Sequence, residues 1–102
     1  MRPERVFAAL GDETRLRIVN RLGERGRLSI AKLTRGTRVT RQAITKHLRV
    51  LEDAGLVRNT WQGRENVWEL DAERLRQAQA FLELKSKQWD EALQRLKMFV
   101  EK

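Results

Sequence analysis

The chain has 102 residues, 40% of them hydrophobic and 35% charged, enough for one domain with an ordinary core and too few for two. It holds no cysteine and one histidine, which excludes disulfides, zinc–thiolate and iron–sulfur centres, cysteine nucleophiles and any histidine-built metal site. Twenty-two Lys and Arg against fourteen Asp and Glu leave a net charge of +8, a balance that points to a polyanionic partner, nucleic acid before an anionic membrane face.

The first predicted element is a short helix over about 4–10, opened by Pro3, where a missing N–H costs little, with Val6, Phe7 and Leu10 on one apolar face. Gly11 breaks it. Asp12 suits the N-cap of a second helix bearing Leu16, Val19 and Leu22 along one side and Ile18 beside them; Gly23 and Gly26 punctuate its end. Ser29 caps a short third helix through Ile30 and Leu33 to about Arg35. Gly36 is free to take positive φ, Thr40 caps a fourth helix over 41–54, and Gly55 stops it at the C′ position. The hydrophobic period then changes from about 3.6 to 2 residues. Residues 56–61 and 66–70 flank Gln62-Gly63-Arg64-Glu65 and read as a β-hairpin with a glycine-bearing tip. Trp61 and Trp68, one on each strand, are expected to cover the core. From Ala72 the pattern is helical again, to about 101.

Five helices and one strand pair thus make a single domain over 1–102, mainly α with a small β-hairpin wing. No apolar run reaches the roughly 18 residues of a membrane span, and Met-Arg-Pro-Glu-Arg leads into no secretory core. A cytoplasmic protein without membrane contact is the expectation. No glycine-rich phosphate loop, Ser/His/Asp set or clustered carboxylates suggest an enzyme or a cofactor.

The charge is concentrated. Residues 1–70 carry a net +7 and residues 71–102 only +1. Between 25 and 49 stand Arg25, Arg27, Lys32, Arg35, Arg38, Arg41, Lys46 and Arg49 with no acidic residue among them. The polyanion surface therefore belongs to the middle of the chain. Two short helices joined by a tight connection, over about 29–54, make a helix–turn–helix candidate. At about 100° per residue, Ile44, Leu48 and Leu51 fall on one side of the second of these helices. Gln42, Lys46 and Arg49 fall opposite, with Thr45 at their edge. That outward set suits the major groove: Gln for adenine, Arg or Lys for guanine, Thr for the thymine methyl. Thr40 and Arg41 stand at the helix N-terminus, where free N–H groups favour a phosphate. Arg64 at the tip of the wing, over about 56–70, fits a narrow minor groove, with Glu65 partly offsetting it.

Two motifs carry a family resemblance. Ala9-Leu10-Gly11-Asp12-Glu13-Thr14-Arg15-Leu16-Arg17-Ile18 and the run from Gln42 to Val57 are similar to the opening stretch and recognition helix of the ArsR family of winged-helix repressors. Gly63-Arg64-Glu65 with Trp68 and Leu70 resembles that family's wing, so the likeness spans about 4–70. Trp89-Asp90 with Leu93, Leu96, Lys97 and Phe99 resembles a subgroup encoded beside SRPBCC-fold proteins. The resemblance implies a homodimeric bacterial repressor that leaves double-stranded DNA when an inducer binds, although no residue pattern marks an inducer pocket. The family's third-helix cysteine motif would fall at Ser29-Ile30-Ala31-Lys32-Leu33-Thr34, and residues 72–102 contain no histidine. Metal sensing is disfavoured.

Trp89, Leu93, Leu96 and Val100 recur at helical spacing, joined by Ala92 and Phe99. With Val6, Phe7 and Leu10 they are the expected homodimer interface, the helices at about 4–10 and 72–101 closing against a two-fold mate. The competing assignment is packing on the domain's own core. His47 reads as a half-buried packing or phosphate-contacting residue rather than a ligand. The rival functions are a sequence-indifferent nucleic-acid module, architectural or RNA-binding, and a basic face that meets an acidic protein.

Overall fold

Four short helices and a small sheet pack into one body, from which a fifth, long helix extends. The structure, a computed structural model, describes residues 2–101. The elements are α1 (Pro3–Leu10), α2 (Glu13–Arg25), β1 (Leu28–Ser29), α3 (Ile30–Thr34), α4 (Arg41–Asp53), β2 (Val57–Gln62), β3 (Glu65–Leu70) and α5 (Ala72–Val100).

Helices α2 to α5 each begin on a side-chain cap that satisfies an otherwise orphaned N–H. Asp12 accepts from Arg15 N–H at 3.0 Å, Ser29 from Lys32 at 3.3 Å, Thr40 from Ala43 at 3.1 Å and Asp71 from Arg74 at 3.0 Å. α4 ends in a Schellman turn. There Leu56 N–H donates to Leu51 O and Gly55 N–H to Glu52 O, both at 2.9 Å. Gly55 has φ +79°, the left-handed conformation that favours glycine, and a Cβ there would also push aside the Arg74 guanidinium, 2.8 Å away at Nε. Leu56, the residue past that turn, is fully buried.

The core collects Ile18 and Leu22 from α2, Leu33 from α3, Ile44, Leu48 and Leu51 from α4, and Val57 and Trp68 from the wing strands. Each such aliphatic side chain contributes about 1.5–3 kcal/mol by leaving water. α4 is therefore held by its buried face, which leaves its opposite face free.

Three expectations are corrected. The sheet has three strands in the order β1-β3-β2, not two, because Leu28 and Ser29 pair antiparallel with Trp68 and Val67 of β3. Leu16 is 45% exposed, whereas Ile18 and Leu22, one turn apart, make the buried stripe of α2; Leu16 lies about 200° from Ile18 around the helix. Trp68 is fully buried, but Trp61 is 70% exposed. Both sit on one face of the ribbon, since Trp61 pairs with Asn66 and Trp68 with Asn59. At Trp61 the ribbon has reached the edge of the body, where the indole lines an open groove beside Ser29, Ile30 and Ala31.

α5 uses only its first third on this body. Leu75 and Ala78 pack against the core, and the Phe81 ring lies 5.8 Å from Phe7 of α1. From Leu82 to Val100 every side chain is exposed, and the free length accounts for the 67 Å long axis.

Candidate nucleic-acid interface

α4 presents Arg41, Gln42, Lys46 and Arg49 to solvent on the side opposite Ile44, Leu48 and Leu51. Thr45 is half-exposed at the margin, and its hydroxyl donates to Arg41 O at 2.9 Å. Its rotamer is thereby fixed, with the methyl left as its apolar contact and the oxygen as an acceptor only. Thr40 is likewise committed: its oxygen takes the Ala43 N–H, so it shapes the helix start. Arg49 lies 3.5 Å from Glu52, an exposed pair that weakly offsets its charge. Arg41 and Lys46 have no ion-pair partner among the described residues.

The wing tip is a two-residue turn between Gln62 and Glu65, which pair across the ribbon. Gly63 has φ +62° and no non-glycine residue of the described chain has positive φ, the pattern of a type II′ turn, whose twist matches a β-ribbon. Arg64 projects there, exposed and without an ion-pair partner among the described residues. All seven predicted DNA-facing residues thus lie at the surface of two adjacent elements, six along or capping α4 and Arg64 across a groove from Arg41.

The basic run is less uniform in space than along the chain. Arg27 pairs with Glu69 at 2.8 Å, with Arg58 3.8 Å from the same carboxylate. Arg21, also basic, turns inward: its guanidinium donates to the carbonyls of Leu33 at 2.6 Å and Lys32 at 2.7 Å, closing the C-terminal end of α3. Arg15 does the same for α1, with Nε donating to Ala9 O at 2.7 Å and Nη1 3.4 Å from His47 Nδ1 on α4. His47 is half-buried, 3.8 Å from Asp12. The bond from Arg15 N–H, first, holds the Asp12 carboxyl below its ordinary value; partial desolvation opposes this, and the Arg15 and His47 charges add to it. Sequence reasoning missed Arg15 and Arg21 as positioning residues. Both stand three residues from Ile18, on the buried stripe of α2, and that spacing was the available signal.

The predicted interface residues fall into two groups. Val6, expected at the interface, is instead 1% exposed within the chain's own core, while Phe7 and Leu10 are half-buried against that core. Trp89, Leu93, Leu96 and Val100 are 59–74% exposed on the free part of α5. Among the described residues no group of three or more His, Cys, Asp or Glu could hold a metal ion, and no helix is long and apolar enough to cross a membrane.

A helix–turn–helix with a basic outward helix and an adjoining β-ribbon defines a winged-helix DNA-binding domain. Comparison with known proteins agrees. A helix–turn–helix domain family matches residues 10–60, half of the chain. The uncharacterized HTH-type transcriptional regulator YuzN of Bacillus subtilis is 47% identical over 68 residues, which cover 61% of this chain and 74% of that protein. The arsenical resistance operon repressor of the same species is 34% identical over 70 residues, covering 69% and 67%. An ArsR-like transcriptional regulator from Rhodococcus sp. RHA1 superposes with a TM-score of 0.83 at 38% identity, over 95% of this chain and 91% of that one. The chain belongs to the ArsR-like helix–turn–helix transcriptional regulators. It is a DNA-binding regulator by family, and each of these relatives is named as a regulator or repressor rather than an enzyme.

Proposed function

We propose that the protein is a cytoplasmic, sequence-specific transcriptional repressor that binds an inverted-repeat operator as a homodimer. The observation that carries this reading is the exposed, carboxylate-poor face of α4, where Gln42, Thr45 and Lys46 flank Arg41 and Arg49 beside the Arg64 wing tip. Gln42 and Thr45 read base edges; Arg41, Lys46, Arg49 and Arg64 hold the phosphates, at a helix start that Thr40 caps.

Support for the homodimer comes from α5. Leu75, Ala78, Leu82, Lys85, Trp89, Ala92, Leu96 and Phe99 recur with alternating steps of three and four residues, the spacing of a helix that supercoils on another. Only the first two of these meet the protomer's own core. The remaining stripe, with Leu93 and Val100 at its edge, is covered in the proposed dimer by a second copy together with Phe7 and Leu10 of α1. A two-fold dimer sets its half-sites about 10–10.5 bp apart, or a multiple of that. Release is by an inducer without metal chemistry, as the cysteine-free third helix favours. The tail's likeness to regulators encoded beside SRPBCC-fold proteins makes such a neighbour the expected target gene.

Selection of bound sequences from a random duplex pool at physiological salt tests the reading. A palindromic motif, preferred over non-specific DNA by about a thousandfold or more, supports it. Equal displacement by any polyanionic competitor refutes it in favour of a sequence-indifferent module.

A further inference from the structure

We propose that the groove between the wing and the α3–α4 unit seats the sugar–phosphate backbone of double-stranded DNA, with the Trp61 indole lying on a deoxyribose between phosphates held by Arg41 and Arg64. The inference rests on the DNA-binding reading above and adds to it a backbone contact made by an aromatic residue.

Trp61 is the starting point. It is 70% exposed, although the ribbon face it shares with Trp68 turns toward the body. It lines a groove of about 200 Å³ together with Ser29, Ile30, Ala31, Arg41 and Arg64. A large aromatic ring held open to water in a groove with two guanidinium groups, neither ion-paired among the described residues, is poor for solubility and well suited to an amphipathic, anionic partner. Glu65 is the one carboxylate on the lining, so the groove keeps a net positive charge.

Duplex geometry identifies the partner. A major groove and the minor groove next to it are separated by a single sugar–phosphate strand. With α4 in the major groove and the Arg64 tip at the adjacent minor groove, that strand runs between them, along the groove that holds Trp61. The deoxyribose offers an apolar face of C–H groups to an indole, and the phosphates on either side meet the arginines. The contact reads no base, so Trp61 strengthens binding without altering the preferred sequence.

The test uses the full-length protein with the duplex recovered by selection. Trp61 emission is isolated as the difference between wild type and W61F, each at saturating duplex. On addition of DNA, that emission shifts to the blue and loses its quenching by iodide. W61A binds about tenfold more weakly, equivalent to about 1.4 kcal/mol, while W61F loses less, and both keep the preferred sequence and the wild-type salt slope. Undiminished iodide quenching in the complex, with W61A binding as tightly as wild type, overturns the proposal while leaving the regulator reading intact. Protection of Trp61 that rises with protein concentration in the absence of DNA also overturns it, by assigning the residue to a contact between copies. A wild type with no preferred duplex removes the reading beneath it.

Discussion

Arg21 separates a structural cation from a DNA-binding one. In a chain of net charge +8, a basic residue on α2 invites assignment to a phosphate, yet its guanidinium is 2.6 Å from Leu33 O and 2.7 Å from Lys32 O. Arg21→Met keeps the apolar stem and removes both bonds. Hydrogen bonds from a charged donor contribute about 1.5–3 kcal/mol each. The Lys32 carbonyl stays open to water after the change, so the partly buried Leu33 carbonyl bears most of the loss, and about 2 kcal/mol is expected. For a domain of about 100 residues this lowers Tm by roughly 8–16 °C. Thermal unfolding followed by circular dichroism measures it. Operator binding, titrated over a range of salt well below Tm, should keep its wild-type slope, because no phosphate contact is lost. An unchanged Tm with a slope reduced by about one unit would refute the capping role and place Arg21 on the DNA.

Gln42→Ala and Thr45→Ala should each relax discrimination at one operator position by about 1–3 kcal/mol, whereas Lys46→Ala and Arg64→Ala should flatten the salt slope by about one unit; titrations with matched and mismatched duplexes tell the two classes apart. An Arg64→Ala protein with unchanged affinity and slope would show that the wing is clear of the DNA. Leu93→Asp places a charge on the free stripe of α5 and should yield monomers by sedimentation; a variant that remains dimeric puts the interface elsewhere. Asp12, whose carboxyl is held below its ordinary value chiefly by the Arg15 N–H, contributes stability above the ordinary aspartate range and loses it as pH falls through the lowered pKa. Denaturant titrations from about pH 6 down to about pH 2 should show the gap between wild type and Asp12→Asn close below about pH 4; a constant gap would show that ionisation of Asp12 does not stabilise the fold.

The helices were legible because their caps are local. Asp12, Ser29 and Thr40 each bond an N–H three residues on, so the signal and its consequence lie within one turn of chain. β1 was not legible, because two residues cannot display an alternation and their partner is some forty residues away on β3. Alternation placed Trp61 on the inward face of the ribbon correctly, but periodicity carries no information about where the body ends beneath it. The same limit applies to α5: its helical pattern runs on from Leu75 to Phe99 with only Lys85 interrupting the apolar positions, and only the fold shows that contact with the body stops at Phe81. The outward face of α4 was read fully, since it follows from the buried face of the same helix. What Arg15 and Arg21 bond depends on helix ends brought close by tertiary packing, so their role required the structure.

Of these two, Arg15 bears on how the proposed repressor dimer would be switched. Arg15 Nε donates to Ala9 O near the end of α1 at 2.7 Å, and its Nη1 lies 3.4 Å from His47 Nδ1 in the middle of α4. α1 in turn meets α5 through Phe7 and Phe81. In the proposed dimer, α5 and α1 form the seam and α4 carries the base contacts, and the Arg15 bonds tie the two together within each copy. Two recognition helices must span one turn of duplex, about 34 Å, to occupy both half-sites. A rotation of the protomers about the seam therefore changes that span directly, with no rearrangement inside either protomer. In the proposed dimer, an inducer would therefore need no contact with α4: binding one seam geometry more tightly than the other would be sufficient to take the second half-site out of register.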